Sequence, residues 1–250
     1  DNVVGTLPPE LGLLSDSLEA INIRGLSEEE SLSGNIPTTI GFLTGLNELT
    51  LRGNNLGTTL PGQLGNLNDL TDLDLNGNNY NGTLPISLLR SMPSLQALDL
   101  GDNTFFGGIA DNIGSLSQLT SLVLANNNLD GTIPESISGL SSLEILDLDD
   151  NRFEFIPRSV GEMTNLKTLS VSNNAVGGTI HTEFGRLINL EGFFLSNNQL
   201  GFQIPSELGQ LTMLRDGFDV SLNQLIGSVP SELGSLRQLR QFRLTGNRLA

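Results

Sequence analysis

The chain has 250 residues with 28 acidic against 12 basic side chains, a formal charge of −16 at pH 7, no Cys, no Trp and one His. The missing Cys excludes a disulfide scaffold and thiolate metal or redox sites within this span, and a lone His181 excludes a multi-histidine metal site. The charge argues against nucleic acid and against an anionic membrane surface, both of which need a basic face, and no apolar run approaches the roughly 20 residues that span a bilayer.

Taken in order, the chain is a repeat. Asn recurs at positions 54, 78, 103, 127, 151, 174, 198, 223 and 247, at steps of 23 to 25 residues. Apolar residues stand eight, five and three places before each Asn and two places after, except that Arg215 stands eight before Asn223. In most coils a Gly follows at four, an Ile or Leu at six and a Pro at seven. Leu119, Leu122, Leu124, Asn127, Leu129, Gly131, Ile133 and Pro134, continuing to Ile137 and Leu140, form the clearest copy. Two earlier coils place Asp1 and Glu30 where later ones have Asn. About ten coils therefore cover the chain.

Each position has a mechanical reason. Leu-x-Leu alternates with period two, as a short strand with one buried face requires. The Asn side chain satisfies backbone groups where the chain leaves the strand, so stacked coils predict an Asn ladder. Gly permits the next bend and Pro fixes φ. The stretch after Pro134 suits a short helix or 3₁₀ turn that carries Ile137 and Leu140 inward. No coil buries its leucines alone, so stability is a sum over neighbouring interfaces.

The frame resembles the leucine-rich repeat family, in its plant-type 24-residue class found in receptor-like kinase ectodomains, polygalacturonase-inhibiting proteins and algal secreted proteins. The resemblance implies an α/β repeat solenoid: a right-handed superhelix with a concave parallel β-sheet, a second short strand from the Gly-x-Ile-Pro segment and short helical or 3₁₀ segments on the convex side. It implies one leucine-rich repeat domain over 1–250, open at both ends and cut from a longer chain, since the family's Cys-containing caps are missing. It also implies recognition of a peptide, protein or glycan at the cell surface or outside the cell, with no cofactor.

The departures from the frame come in chain order. Arg24–Ser31 carries about four extra residues in an acidic insertion, read as a solvated loop. The Asn78 to Asn103 step holds one more residue near Ser91-Met92-Pro93, a helix-side bulge. Phe155 and Phe202 stand where other coils have Gly, which predicts a local change in the second strand rather than a site. His181 and Ala110 replace Pro and are read as surface substitutions. Arg215-Asp216-Gly217 adds one residue before a strand.

In the family the residues between the strand leucines face the ligand. Here they predict an acidic group at Asp72, Asp74, Asp99 and Asp102, and a second at Asp147, Asp149 and Asp150 beside Glu144. Arg240, Arg243 and Arg248 make a basic end. Stacked carboxylates repel unless a cation offsets them, which points to a basic peptide or protein, or Ca²⁺. The alternative is that Leu-Asp-Leu is a soluble filler. Val123, Ile145 and Phe194 are apolar where exposure is expected, with Phe194 a candidate anchor. Asn81-Gly82-Thr83 is a glycosylation sequon.

No nucleophile motif or Gly-rich phosphate loop appears, so no enzyme is expected. The candidate functions are a recognition module, a structural or adhesive rod, and ice binding. The last would need a flat ladder of Thr or Asn. The place five after each Asn reads Thr6, Asn35, Thr59, Thr83, Gly108 and Thr132, then becomes irregular.

Overall fold

The computed structural model describes residues 4–14, 17–25 and 30–250. Asp1 and the Leu26–Glu29 portion of the acidic insertion lie outside them. The fold is an α/β repeat solenoid whose contacts divide into two compact units. Unit 1 comprises Asp1–Gly107 and Gln118–Asn128, and unit 2 comprises Gly108–Ser117 and Leu129–Ala250.

In unit 1 the Leu-x-Leu strands Ala20–Asn22, Glu48–Thr50, Asp72–Asp74, Ala97–Asp99 and Ser121–Val123 pair in parallel, each with the next coil's copy. Unit 2 repeats this with Ile145–Asp147, Thr168–Ser170, Gly192–Phe194, Gly217–Asp219 and Phe242–Arg243. The register is unbroken because the leucine of each strand meets the leucine or phenylalanine of the next, as Leu49 meets Leu73 and Phe193 meets Phe218. A one-residue slip would turn these buried side chains outward.

The Asn ladder forms as its spacing predicts. The Asn103 side-chain oxygen accepts from the Tyr80 amide one coil back at 3.0 Å, while its Nδ2 donates to the carbonyls of Leu75, Leu100 and Gly101. Asn78 and Asn198 repeat the pattern in units 1 and 2. Both are buried, so one amide replaces water for several backbone groups at each turn.

The ladder also fixes its neighbour. The residue just before the Asn is left-handed at Asp102, Asn126, Asp150, Asn173, Asn197 and Leu222, with φ between 50 and 56°. Asp and Asn tolerate that region, whereas Leu does so at a cost.

Second strands follow each ladder residue. In unit 1 they include Leu32–Gly34, Asn55–Thr58 and Asn79–Gly82. In unit 2 Gly177–Thr179 pairs with Gln199–Gly201, and Ile226–Gly227 with Arg248–Leu249, as separate pairs. The breaks in this second ladder follow Phe155 and Phe202, the two aromatic replacements of Gly. Phe202 is held at φ 64° where Gly178 and Gly227 take 84° and 81°.

Each coil closes with a one-turn helix. Glu135–Gly139 is 3₁₀, begins after Pro134 at φ −72° and buries Ile137 and Leu140. His181 reproduces that start at φ −74° without a proline, whereas the coil with Ala110 in that place keeps only Ile113–Ser115. Ile86–Leu89 is α-helical, in the coil where the extra residue near Ser91-Met92-Pro93 gives the turn room to widen.

The core is leucine with aromatic inserts. In unit 2 ring contacts run from Phe155 to His181, Phe184, Phe193, Phe218 and Phe242. His181 is therefore a packing residue, set edge-on between two phenylalanines with Nε2 3.1 Å from the Ile156 carbonyl oxygen. In unit 1 Tyr80 takes an apolar place, stacks on Phe105 and buries a hydroxyl that has no hydrogen-bond partner.

Candidate ligand-binding face

The residues between the buried strand leucines project from the opposite side of each Leu-x-Leu strand, because successive side chains alternate. In unit 1 the side-by-side pairs Glu48 with Asp72, Thr50 with Asp74, Asp74 with Asp99 and Asp99 with Val123 surround a depression of about 270 Å³. Three members of the first acidic group, Asp72, Asp74 and Asp99, thus line one depression, with the apolar Val123 beside them. Asp102 does not line it; it is exposed at the left-handed turn before Asn103.

These carboxylates are held by internal bonds. Asp72 accepts from Thr71 Oγ1 at 2.6 Å, and Asp74 from the Asn76 amide at 3.0 Å. Asp99 accepts from the Gly101 amide at 2.9 Å and from Asn76 Nδ2 at 3.2 Å, with the Arg52 guanidinium 3.6 Å away. Burial raises the Asp99 pKa and the Asp74 charge adds to it, against the hydrogen bonds and Arg52. Arg52 offsets part of the repulsion that two carboxylates on adjacent strands, about 4.8 Å apart, would otherwise create.

In unit 2, Asp147 accepts from the Asp149 amide at 3.1 Å. Asp149 accepts from Ser170 Oγ at 2.7 Å and from the Ser172 amide one coil on. Its carboxyl is pushed up to about 6, chiefly by burial, with the Asp147 and Asp150 charges adding to the rise. Asp150, at a left-handed turn, accepts from Asn173 Nδ2 at 3.2 Å. Glu144 pairs with Lys167 at 2.6 Å, and Ile145 beside it is 39% exposed.

Phe194 is partly exposed and folded down onto the strand face. A Cβ added at Gly192 would meet its ring at 2.6 Å, and one at Gly217 at 2.7 Å. The ring thus occupies the space that two side chains would fill. Its row of paired strand positions reads Asp147, Ser170, Phe194, Asp219 and Arg243. Asp219 is buried, accepts from the Ser221 amide at 2.9 Å and lies 3.5 Å from Arg243. Arg243 is therefore engaged with this row as well as lying near the basic end. The residues that sequence reasoning missed are Gly192 and Gly217. Their signal was glycine in the same place of two consecutive coils, next to an out-of-pattern Phe.

Asn81 is exposed on the Asn79–Gly82 strand, and Thr83 of the sequon is exposed too. Among the described residues no group of His, Cys, Asp and Glu is arranged to hold a metal ion, and no helix is long and apolar enough to cross a membrane.

A model described as a leucine-rich repeat region matches residues 107–247, and one described as a leucine-rich repeat matches residues 45–67. Compared with curated proteins by sequence, the chain has no match. Among solved structures it is similar to a TDR receptor (34% identity, TM-score 0.89, 98% of this chain and 42% of that one). It is similar to the receptor kinase HAESA ectodomain of Arabidopsis in complex with an IDA peptide hormone (36%, 0.87, 98% and 40%). It is also similar to a plant ice-binding protein (28%, 0.82, 99% and 77%). The chain spans about two fifths of the length of those receptor structures. With a repeat model over more than half its length and a fold shared at 34 to 36% identity over nearly all of it, the chain belongs to the leucine-rich repeat family, in its plant-type class.

Proposed function

We propose that the chain is a non-catalytic recognition module of an extracellular or cell-surface protein, and that it binds a peptide or protein on the exposed face of its Leu-x-Leu strands. The observation that carries this is the likeness, over nearly the whole chain, to plant receptor ectodomains described in complex with peptide hormones. The strand face agrees with it. That face holds the residues the repeat leaves free to vary, and it concentrates ordered carboxylates at Asp74, Asp99 and Asp149 with an aromatic ring at Phe194. A glycan ligand fits the same face and the same test. Affinity capture from the source organism with the 1–250 chain as bait should return a ligand whose binding is weakened by Asp99→Asn or Asp147→Asn. A ligand captured equally by both variants would move the site off this face.

Ice binding is the second reading, favoured by the likeness to a plant ice-binding protein. In unit 1 Thr6, Asn35, Thr59 and Thr83, each five places after the repeat Asn position, are exposed, but in unit 2 exposed Phe155 pairs with Thr132 and interrupts that row. Thermal hysteresis of the purified chain decides it.

A further inference from the structure

The Phe194 ring is the one large apolar side chain between the strand leucines of unit 2 that lies in a cradle made for it. Gly192 and Gly217 are side by side in register, neither adopts left-handed backbone, and both leave open the space in which the ring rests. Glycine in two consecutive coils costs backbone entropy and removes two side chains from the sheet surface. The return is a partly exposed ring resting over the strands.

The charged residues that flank it first in this row of strand positions are carboxylates. Asp219 is the adjacent residue on one side, and beyond Ser170 on the other side stand Asp147 and Asp149. Arg243 lies one strand past Asp219 and is tied to it at 3.5 Å, so it limits the row at one end. The ring thus sits between carboxylates in a protein of net charge −16. A π-face carries partial negative charge, and nearby carboxylates deepen that potential.

We infer that Phe194 is the seat of a cationic side chain, an arginine or lysine of a peptide ligand, stacked on the ring and drawn in by Asp147, Asp149 and Asp219. This rests on the recognition function proposed above and names the chemistry of its ligand. A guanidinium is the better fit, since it is planar, weakly hydrated and able to lie on the ring while its N–H groups reach a carboxylate. A neutral sugar would use the ring and donate hydroxyl hydrogen bonds to the acid, but without the charge attraction that a cation gains and that salt screens.

The test uses the full chain and three probes: N-acetylated, C-amidated hexa-arginine, the same peptide with citrulline at every position, and cellohexaose. Binding is read by fluorescence anisotropy or calorimetry at two salt concentrations. Hexa-arginine should bind, and citrulline and cellohexaose should not. Phe194→Leu should weaken hexa-arginine by roughly two- to fivefold, the worth of a cation–π contact at a partly exposed ring. Gly217→Ala should do the same, because its Cβ displaces the ring without removing it. Glu162→Gln, an exposed acid on a helical turn, measures how much hexa-arginine binding depends on one charge away from the ring, and so sets the non-specific background. The inference is overturned if Phe194→Leu binds hexa-arginine as the parent does, or loses no more than Glu162→Gln. It is also overturned if cellohexaose binds and depends on Phe194. If Gly217→Ala fails to fold, the Phe194→Leu comparison decides alone. A captured ligand that depends on Asp99 but not on Phe194 would leave the recognition function standing and remove only this seat.

Discussion

Asn103 and Tyr80, on adjacent coils, are joined by a 3.0 Å bond from the Tyr80 amide to the Asn103 side-chain oxygen, and the same side chain reaches three carbonyls. Truncation to Ala strands a buried amide and buried carbonyls at once. Each buried group left unpaired costs about 1–3 kcal/mol, so Asn103→Ala should destabilise by roughly 3–5 kcal/mol. Urea unfolding followed by circular dichroism measures it, and a loss below about 1 kcal/mol would show that water replaces the side chain.

Tyr80 carries a hydroxyl into a site that is 0% exposed and offers it no partner. Burial drives its pKa well above the usual phenol value. Removing the oxygen removes an uncompensated desolvation, so Tyr80→Phe should raise stability by about 1–3 kcal/mol, with the stacking on Phe105 kept. A lower melting temperature would mean that the hydroxyl is bonded in solution.

Leu222 occupies a left-handed turn at φ 55° that its counterparts give to Asp, Asn or Gly, and it is 57% exposed. Little burial is lost by replacing it, and the backbone strain is relieved. Leu222→Asn should stabilise by about 1 kcal/mol. Thermal unfolding of the variant beside the parent reads this directly.

Asp149 links stability to pH. Its folded pKa of about 6 is raised above the ordinary carboxyl value, so between roughly pH 4 and 6 the folded state holds more protons than the unfolded one. Stability should therefore fall as pH rises through that window, as the carboxyl ionises beside Asp147 and Asp150. Asp149→Asn keeps an acceptor for Ser170 and Ser172 and removes the charge. It should gain about 1 kcal/mol at pH 7 and nothing at pH 4, less than the nominal shift implies because water screens a carboxyl this accessible. Equal effects at both pH values would remove Asp149 as the source.

The regular part of the molecule was legible in the sequence because a solenoid makes long-range pairing periodic. Knowing the spacing from Asn78 to Asn103 is enough to know that Leu73 lies beside Leu98, and that Asp74 lies beside Asp99. The helical turns and their caps followed from Pro134 and its equivalents. The second-strand breaks followed from Phe155 and Phe202, since an aromatic replaces the residue that bends most freely.

Other features were not legible, because a column of residue types does not give side-chain direction. Asp102 belongs by sequence with Asp99, yet the left-handed turn it serves carries it away from the depression. His181 reads as a surface substitution and is a ring in an aromatic chain.

By itself, the sequence determined the coil, its register and which residues are buried, since each follows from a local period repeated along the chain. The tertiary structure alone decided what the exposed residues do together. Phe194 rests over the strands because two glycines from different coils leave the space, and Asp149 resists ionisation because burial between coils desolvates it, against the bonds from Ser170 and Ser172. Both depend on the packing of side chains between coils, which the period aligns but does not orient.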